Sequence, residues 1–270
     1  MTFKFTDYHV HTAKWSTDIG KDGPKFEDYI LIAEQHEINI CFLDHFELYS
    51  IENDKTNPFC DGNIQNYLEE IDELKETYDF IYSGLEVEYY RDREIELLEF
   101  MDDYNRELDF IGGTIHEWIL DYPITTRDKL LKLLEKKTIR TIIDEYFETC
   151  EMMVNSKIFS NICHIDTIFR YLNENDIKPT KDCDTSEERV LELGRKCITN
   201  NIKIEYNISG ERFPIGRPFP SKSIISQLIS EGGKYFVGSD SHSLEYFEKQ
   251  IPKVKDAYLY LNSIKNQRFS

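Results

Sequence analysis

The sequence contains no run of about 18 consecutive apolar residues, so it argues against a membrane-spanning helix. It also lacks a basic segment followed by an apolar one after Met1, which argues against a secretory signal. We therefore expect a soluble, cytoplasmic protein with no membrane partner. The six cysteines form no Cys-x-x-Cys pair, and several lie in apolar runs. Reduced, structural thiols are expected at Cys41, Cys60, Cys150, Cys163, Cys183 and Cys197.

Positive charge is scarce in this chain. Its 32 Lys and Arg residues face 51 Asp and Glu residues, which gives a formal net charge of −19. Proteins bind nucleic acid backbones with Lys and Arg, so no nucleic acid partner is expected. A small phosphorylated substrate would also be repelled unless bound cations reversed the local charge. The sequence has neither a Gly-rich phosphate loop nor a Gly-x-Ser-x-Gly motif.

The length and composition allow one large domain. The chain has 270 residues, of which 40% are hydrophobic and 13% aromatic, enough for a sizeable core. No linker or low-complexity tract divides it. We expect a single domain over residues 1–270.

The opening segment Asp7-Tyr8-His9-Val10-His11-Thr12 has two imidazoles two residues apart. On a β-strand, residues i and i+2 point to the same face. Phe3, Phe5 and Asp7 are expected to share the face of His9 and His11. An apolar floor then leads to a polar rim that could bind metal at the end of the strand.

The other histidines follow the same rule. Six of the seven close a short β-like run or directly follow one, and they are His9, His11, His45, His116, His164 and His242. Only His36 lies in a helix-like stretch. We expect no chemical role for His36.

Strand-like and helix-like segments alternate along the chain. After the opening strand, the pattern predicts strands over 38–43, 80–85, 108–115, 158–163, 202–206 and 235–237, and helices over 26–37, 64–77, 94–106, 127–157, 187–200 and 221–230. Ser221 is expected to cap the last of these helices. Seven such units with polar residues at most strand ends are typical of an α/β barrel with its site at the C-terminal rim. The alternative is an open doubly wound sheet, whose ligand groups would gather at one switch point.

Imidazole and carboxylate groups together suit Zn, Fe and Mn. The candidate ligands number nine, too many for one four-coordinate ion, so two to three divalent transition metals are expected. Metals about 3.5–4 Å apart can lower the pKa of a shared water and clamp an in-line displacement at phosphorus. The constellation therefore indicates a phosphoesterase with a small phosphorylated substrate.

Several motifs, in this order, resemble the polymerase-and-histidinol-phosphatase (PHP) superfamily over nearly the whole chain. They are His9-x-His11, Asp44-His45, Gly84-Leu85-Glu86, His116, His164 and Ser239-Asp240-Ser241-His242. The opening segment, Gly84 to Tyr89, His164 to Tyr171 and Asn207-Ile208-Ser209-Gly210-x-Arg212 resemble the stand-alone histidinol-phosphate phosphatases in particular. The resemblance implies a distorted (β/α)7 barrel, TIM-like, with a trinuclear metal site at the C-terminal ends of the strands.

The resemblance also implies a role for each candidate ligand. The first metal would be held by His9, His11, Glu86 and Asp240, and the second by His116 and His164 with Glu86 bridging. The third would be held by His45, His242 and a residue of the loop after the first strand, where Asp18 is the candidate. The implied reaction is the hydrolysis of L-histidinol phosphate to L-histidinol and phosphate in histidine biosynthesis, with Glu86, Asp240 and His242 as catalytic residues.

Arginines near the strand ends are candidates for binding the substrate phosphate. Arg170 and Arg212 follow the fifth and sixth strands, and Arg217 lies in Gly216-Arg217-Pro218. The planar guanidinium can donate two parallel hydrogen bonds to phosphate oxygens. In so acidic a chain, an arginine can equally be a surface ion-pair partner.

Other carboxylates near the ligands have two possible interpretations. Asp7 and Asp44 are expected to orient ligands rather than bind metal. Glu88 either shares the face of Glu86 or is an exposed loop carboxylate. The sequence leaves open a PHP phosphoesterase of other specificity, for phosphotyrosine or nucleotides, and a metal-binding or regulatory barrel without turnover. It also leaves the oligomeric state open.

Overall fold

A computed structural model of the chain describes residues 2–171 and 187–267. Its strands form one seven-stranded sheet in chain order, and the pairings of β1 with β2, β2 with β3, β4 with β5 and β5 with β6 are parallel. The strands are β1 (Thr6–Val10), β2 (Asn39–Phe46), β3 (Ile81–Glu88), β4 (Phe110–Thr114), β5 (Asn161–Ile162), β6 (Lys203–Asn207) and β7 (Lys234–Gly238). A bridge between Val10 and Ser241 joins the ends of β1 and β7.

Helices separate the strands. They are α1 (Phe26–Gln35), α2 (Leu48–Asn53), α3 (Ile64–Lys75), α4 (Glu94–Tyr104), α5 (Arg127–Leu134), α6 (Ile139–Ser156), α7 (Glu187–Thr199), α8 (Lys222–Ser230) and α9 (Leu244–Gln267). A sheet whose strands follow chain order, with β1 joined to β7, is a distorted TIM-like α/β barrel, as expected. The doubly wound alternative is wrong, because its strand order reverses at a switch point.

Three predicted elements differ from the structure. The helical stretch over 127–157 is broken, because the Thr138 hydroxyl accepts a hydrogen bond from Thr141 N and starts a new helix. β2 extends further than predicted, so Asp44 and His45 lie within it rather than after it. β1 begins at Thr6, so Phe3 and Phe5 precede the strand instead of sharing its face.

Two further differences concern the ends of elements. β5 is much shorter than predicted, although Gly113 of β4 still pairs with Ile162. A side chain at Gly113 would lie 2.5 Å from the Phe159 ring, so this glycine makes room for close packing. The longest helix, α9, lies beyond the predicted elements, although Phe247, Ile251 and Val254 form a buried stripe on it. Ser221 caps α8 by accepting from Ile224 N, as predicted.

The chain divides into two compact units. The first unit comprises Met1–Glu88, Glu99–Gly112 and Val237–Ser263, and the second comprises Tyr89–Leu98, Gly113–Phe236 and Ile264–Ser270. In the first unit, the Phe42 ring lies 4.6 Å from that of Phe26. In the second, Phe147 lies 5.4 Å from Tyr146 and 5.8 Å from Phe169. One folding domain over residues 1–270 stays a prediction.

The described cysteines are free thiols, and all but Cys60 are buried. Burial raises the pKa of Cys41 and Cys150, and it raises that of Cys197 to about 12. These protonated thiols have the structural character that the sequence predicted. Cys183 lies outside the described residues. Among the described helices, none is both long and apolar enough to cross a membrane.

Candidate metal centre and phosphate-binding residues

Four imidazoles cluster in the first unit. The ring centroid of His11 lies 4.9 Å from that of His9, 4.4 Å from that of His45 and 4.2 Å from that of His242. His11 follows the last residue of β1, while His45 lies on β2 and His242 follows β7. Ligand atoms of His11, His45 and His242 lie within 4.8 Å of one another. The strand ends therefore bring together the histidines that the sequence selected in this unit.

Glu86, on β3, places one carboxylate oxygen among three of these imidazoles. Its Oε2 lies 3.3 Å from His9 Nε2 and 3.2 Å from His45 Nδ1. The same oxygen is 3.9 Å from His11 Nε2. A buried carboxylate at the centre of several imidazoles has the position that a bridging metal ligand requires.

Asp240 follows β7 and contributes a second carboxylate. Its Oδ1 lies 3.5 Å from His11 Nε2 and 3.5 Å from His242 Nδ1. Ligand atoms of Asp240, His9 and His11 form another group within 4.8 Å. The backbone φ of Asp240 is +56°, in the left-handed region that non-glycine residues rarely adopt. Such conformations are often found at functional sites, where the surrounding structure holds them.

Asp18 lies in the loop after β1, about half exposed, and contacts two of the imidazoles. Its Oδ2 is 2.9 Å from His242 Nε2 and 3.6 Å from His45 Nε2. Although desolvation raises the pKa of Asp18, His45 and His242 lower it well below its usual range. The structure thus places Asp18 beside both histidines with which the resemblance grouped it.

The donor set in the first unit fits divalent metal ions. His242 Nδ1 lies 3.0 Å from the Asp240 carbonyl oxygen. The other ring nitrogen, Nε2, lies 2.9 Å from Oδ2 of Asp18, and imidazole and carboxylate groups are common ligands of divalent ions. Nε2 of His11 is also buried and makes no hydrogen bond within the described chain.

The pKa shifts of the two central histidines differ in direction. Burial, and then the neighbouring His242 and His45, hold the pKa of His11 well below its usual range. His11 is therefore neutral, the form that binds metal. For His45, burial lowers the pKa, but Asp18 and Glu86 outweigh it and raise the pKa well above its usual range. The two carboxylates thus favour positive charge at His45, which either a proton or a bound cation could provide.

Hydrogen bonds behind the imidazoles fix their orientation. Asp44 Oδ1 accepts from Thr12 N at 2.6 Å and from Ser16 Oγ at 2.8 Å. The Ser16 hydroxyl lies 3.5 Å from His11 Nδ1, which leaves Nε2 of His11 directed at the carboxylates. Burial raises the pKa of Asp44 to about 6, and bonds from Thr12 and Ser16 oppose that rise. Asp44 has the contacts of an orienting residue.

Asp7 and Glu88 are two further buried carboxylates of the first unit. Asp7 Oδ1 accepts from Ser239 N at 2.9 Å and from His9 N at 3.2 Å, so it ties β1 to the segment after β7. Burial raises its pKa to about 6. Glu88 is buried at the end of β3, so the interpretation as an exposed loop carboxylate is wrong.

The second unit contains the other two candidate ligands. His116 follows β4 and His164 follows β5, and their Nε2 atoms lie 3.4 Å apart. Both side chains are buried. The backbone N–H of His164 donates to Glu205 Oε2 at 2.8 Å, which fixes the start of this segment. Two buried imidazole nitrogens this close are suitable ligands for a metal ion.

The three candidate arginines lie in the second unit and divide into two groups. The guanidinium carbon of Arg170 lies 4.2 Å from the ring centroid of Phe213, and that of Arg212 lies 5.0 Å from it. Arg217 instead forms an ion pair with Asp166, at 2.8 Å between Nη1 and Oδ2. Sequence reasoning assigned no role to Asp166 or Ser16, although Asp166 follows His164 by the same i, i+2 spacing that relates His9 and His11.

No protein-family model matches this sequence, and no curated protein matches it. Solved structures do match. The candidate histidinol phosphatase hisK from Listeria monocytogenes is 17% identical, with a TM-score of 0.74 over 89% of this chain and 96% of that one. The histidinol phosphate phosphatase HISK from Lactococcus lactis subsp. lactis, complexed with Zn, L-histidinol and phosphate, is 23% identical, with a TM-score of 0.70 over 95% and 94%. These likenesses establish the fold.

Proposed function

We propose that this protein is a metal-dependent phosphomonoesterase of the PHP type that hydrolyses L-histidinol phosphate to L-histidinol and phosphate. The observation that carries the proposal is the cluster in the first unit, where four imidazoles and three carboxylates meet. Seven donors exceed the ligand set of one four-coordinate ion. The Lactococcus lactis neighbour, which shares the fold and was solved with Zn, L-histidinol and phosphate, supports this choice of substrate.

The proposed ligands follow the geometry of each unit. His9, His11, Glu86 and Asp240 would hold one ion, and His45, His242 and Asp18 another. His116 and His164 of the second unit would hold a further ion. Divalent ions at such sites supply Lewis acidity and a nucleophilic water at neutral pH. Two to three ions, of Zn, Fe or Mn, are proposed.

The protein's own groups supply orientation and charge. Asp44 and Ser16 hold His11 so that one nitrogen faces the carboxylates. Glu86, Asp240 and His242 are the proposed catalytic residues, because each contacts at least one other proposed ligand. In a chain with a net charge of −19, a phosphate group needs local cations. Arg170, Arg212 and Arg217 of the second unit are proposed to provide them.

The test is phosphate release from a panel of small phosphomonoesters with added Mn, Zn or Fe. Selective turnover of L-histidinol phosphate is expected. A preference for phosphotyrosine or nucleotides would instead support a PHP phosphoesterase of other specificity. Stoichiometric metal binding with no turnover of any ester would support a metal-binding or regulatory barrel.

A further inference from the structure

Asp166 is a buried carboxylate that the proposed chemistry does not use directly. It is fully buried, two residues after His164. Neither of its oxygens has a hydrogen bond within the described chain, and Arg217 is its ion-pair partner there. A buried carboxylate is unfavourable unless it is paired. Arg217 therefore stabilises Asp166, and Asp166 in turn fixes where the Arg217 guanidinium lies.

The backbone around Arg217 is also held in place. Asn207, at the end of β6, and Phe219 exchange two backbone hydrogen bonds, each of 2.8 Å. Gly210 lies so close that a side chain there would meet the Arg217 carbonyl oxygen at 2.1 Å. The Nη1 group of Arg217 also donates to the Pro218 carbonyl at 2.8 Å. The backbone and the guanidinium group of Arg217 are thus both held in place by contacts within the protein.

These contacts leave one edge of the guanidinium available. Asp166 and Pro218 both engage Nη1, while Nε and Nη2 make no hydrogen bond to the described residues. The side chain is 23% exposed. Nε and Nη2 form the edge that donates two parallel hydrogen bonds to a carboxylate or phosphate. All three arginines lie near aromatic rings, since the guanidinium carbon of Arg217 is 5.9 Å from the Phe169 centroid and those of Arg170 and Arg212 are 4.2 and 5.0 Å from that of Phe213.

We infer that Asp166 is a positioning residue, which holds Nη1 of Arg217 so that the Nε–Nη2 edge binds the phosphate of the substrate. This inference rests on the proposed function and deepens it. A carboxylate near a phosphate repels it, so Asp166 can favour binding only through Arg217. Any favourable effect of Asp166 on phosphate binding must therefore disappear once Arg217 is removed.

A double-mutant cycle tests this dependence, with inorganic phosphate as the probe. Phosphate binding to the metal-loaded protein is measured by calorimetry for wild type, Asp166→Asn, Arg217→Ala and the double variant. Arg217→Ala should weaken binding by about 10- to 100-fold, the loss expected for charge-assisted hydrogen bonds. Asp166→Asn should weaken it by about tenfold through misplacement of the arginine. The double variant should bind phosphate no more weakly than Arg217→Ala does.

Two further variants separate positioning from folding. Arg217→Ala leaves Asp166 buried without its partner and can lower the melting temperature. Arg217→Lys keeps the charge but lacks the two-donor edge, so it should retain the melting temperature and still lose about tenfold in phosphate binding. The matched control is Asp144→Asn, since Asp144 pairs with Arg189 elsewhere in the second unit. It should leave phosphate binding unchanged.

The results of these measurements separate the positioning role of Asp166 from the proposed function. Wild-type phosphate binding by Asp166→Asn or Arg217→Lys would overturn the inference, as would an equal Asp166→Asn effect with and without Arg217. In steady-state kinetics, Asp166→Asn should change KM and kcat in the same pattern as Arg217→Lys, with unchanged metal content. If wild type hydrolyses no phosphomonoester yet the binding cycle holds, the proposed function fails and the positioning role stands. If wild type hydrolyses L-histidinol phosphate selectively but the effects of the two substitutions on phosphate binding are additive, the proposed function stands and the positioning role of Asp166 fails.

Discussion

The two units of this molecule differ in the polar chemistry that they contain. The first unit gathers four imidazoles and three carboxylates, while the second contains two imidazoles and all three candidate arginines. No arginine occurs before Arg91 in the sequence. Imidazole and carboxylate are ligands for transition metals, whereas arginine suits the oxygens of a phosphate. The proposed metal ligands and the proposed phosphate-binding residues are therefore chemically distinct sets of residues.

Glu86→Gln is expected to have the largest effect and tests the metal-binding character of the first unit. Wild type should carry more than one transition metal per chain, and the variant fewer, because one oxygen of Glu86 lies close to three imidazoles. Turnover should fall by about a thousandfold or more, since metals supply several kcal/mol of charge stabilisation. Elemental analysis and phosphate release measure the two effects. At most one metal in reconstituted wild type would exclude a trinuclear site.

His116→Gln tests whether the second unit also takes part in metal binding. Loss of one nitrogen from the His116–His164 pair should remove a metal and abolish turnover. The control is His36→Gln, because His36 ends α1, is partly exposed and lies 3.4 Å from Glu248. This control should retain nearly full turnover. If His116→Gln and His36→Gln both fold and are equally inactive, the rule that the functional histidines lie at strand ends is wrong.

Arg212→Ala tests the anion-binding character of the second unit. We expect a loss of roughly 2–4 kcal/mol in transition-state stabilisation, the order seen when a donor to developing charge is removed. Metal content should not change, because Arg212 lies over Phe213 and is not a ligand. Arg140→Ala, an exposed arginine on α6, is the control. Wild-type kinetics, or loss of metal, would remove Arg212 from the proposed phosphate site.

The sequence predicted the parts of the site that depend on local spacing. His9, His11 and His45 were selected because polar residues at strand ends meet at one edge of a parallel sheet. Glu86 and Asp240 were selected through the family resemblance. The rings of His9 and His11 lie close together, as residues two apart on a strand would, even though His11 lies just beyond β1. The fold class was predictable for the same reason, since strand–helix alternation repeats along the whole chain.

Other features depend on contacts between residues distant in sequence. The Asp166–Arg217 pair joins the segment after β5 to the loop before α8, and no spacing rule connects them. The contact of Asp44 with Thr12 and Ser16 is likewise set by tertiary packing. The break between α5 and α6 depends on one hydroxyl at Thr138, which an apolar stripe does not reveal. α9 was predictable from its stripe.

Asp44→Asn tests whether orientation in the first unit matters for metal affinity. Loss of the carboxylate should loosen Ser16 and His11 and weaken metal binding by about 10- to 100-fold, as is usual for groups that orient ligands. Competition with a chelator measures this. Asp109→Asn is the matched control, because Asp109 Oδ2 accepts from Ser83 N and Oγ without contacting an imidazole. Equal losses in both variants would indicate a general effect on stability.

Glu231→Gln is expected to have the smallest effect and contrasts an exposed ion pair with the buried pair at Arg217. The bond from Arg195, and then that from Gln227, lower the pKa of Glu231 to about 2. A carboxyl whose pKa is lowered by folding stabilises the protein above its unfolded pKa and loses that contribution as pH falls through its folded pKa. Because both side chains are substantially exposed, solvent screens the pair, and the variant should lose only about 0.2–1 kcal/mol at pH 7.

The loss from Glu231→Gln should shrink as pH falls from about 4.5 towards about 2. Urea denaturation of wild type and variant across that range measures it, with phosphate binding recorded on the same samples near neutral pH. The surface pair lies in the second unit but away from the candidate arginines in sequence, so phosphate affinity should not change. A loss in stability that persists at the lowest pH would contradict the role assigned to the Arg195–Glu231 pair. A change in phosphate affinity would contradict the distinction between this exposed pair and the buried Arg217–Asp166 pair.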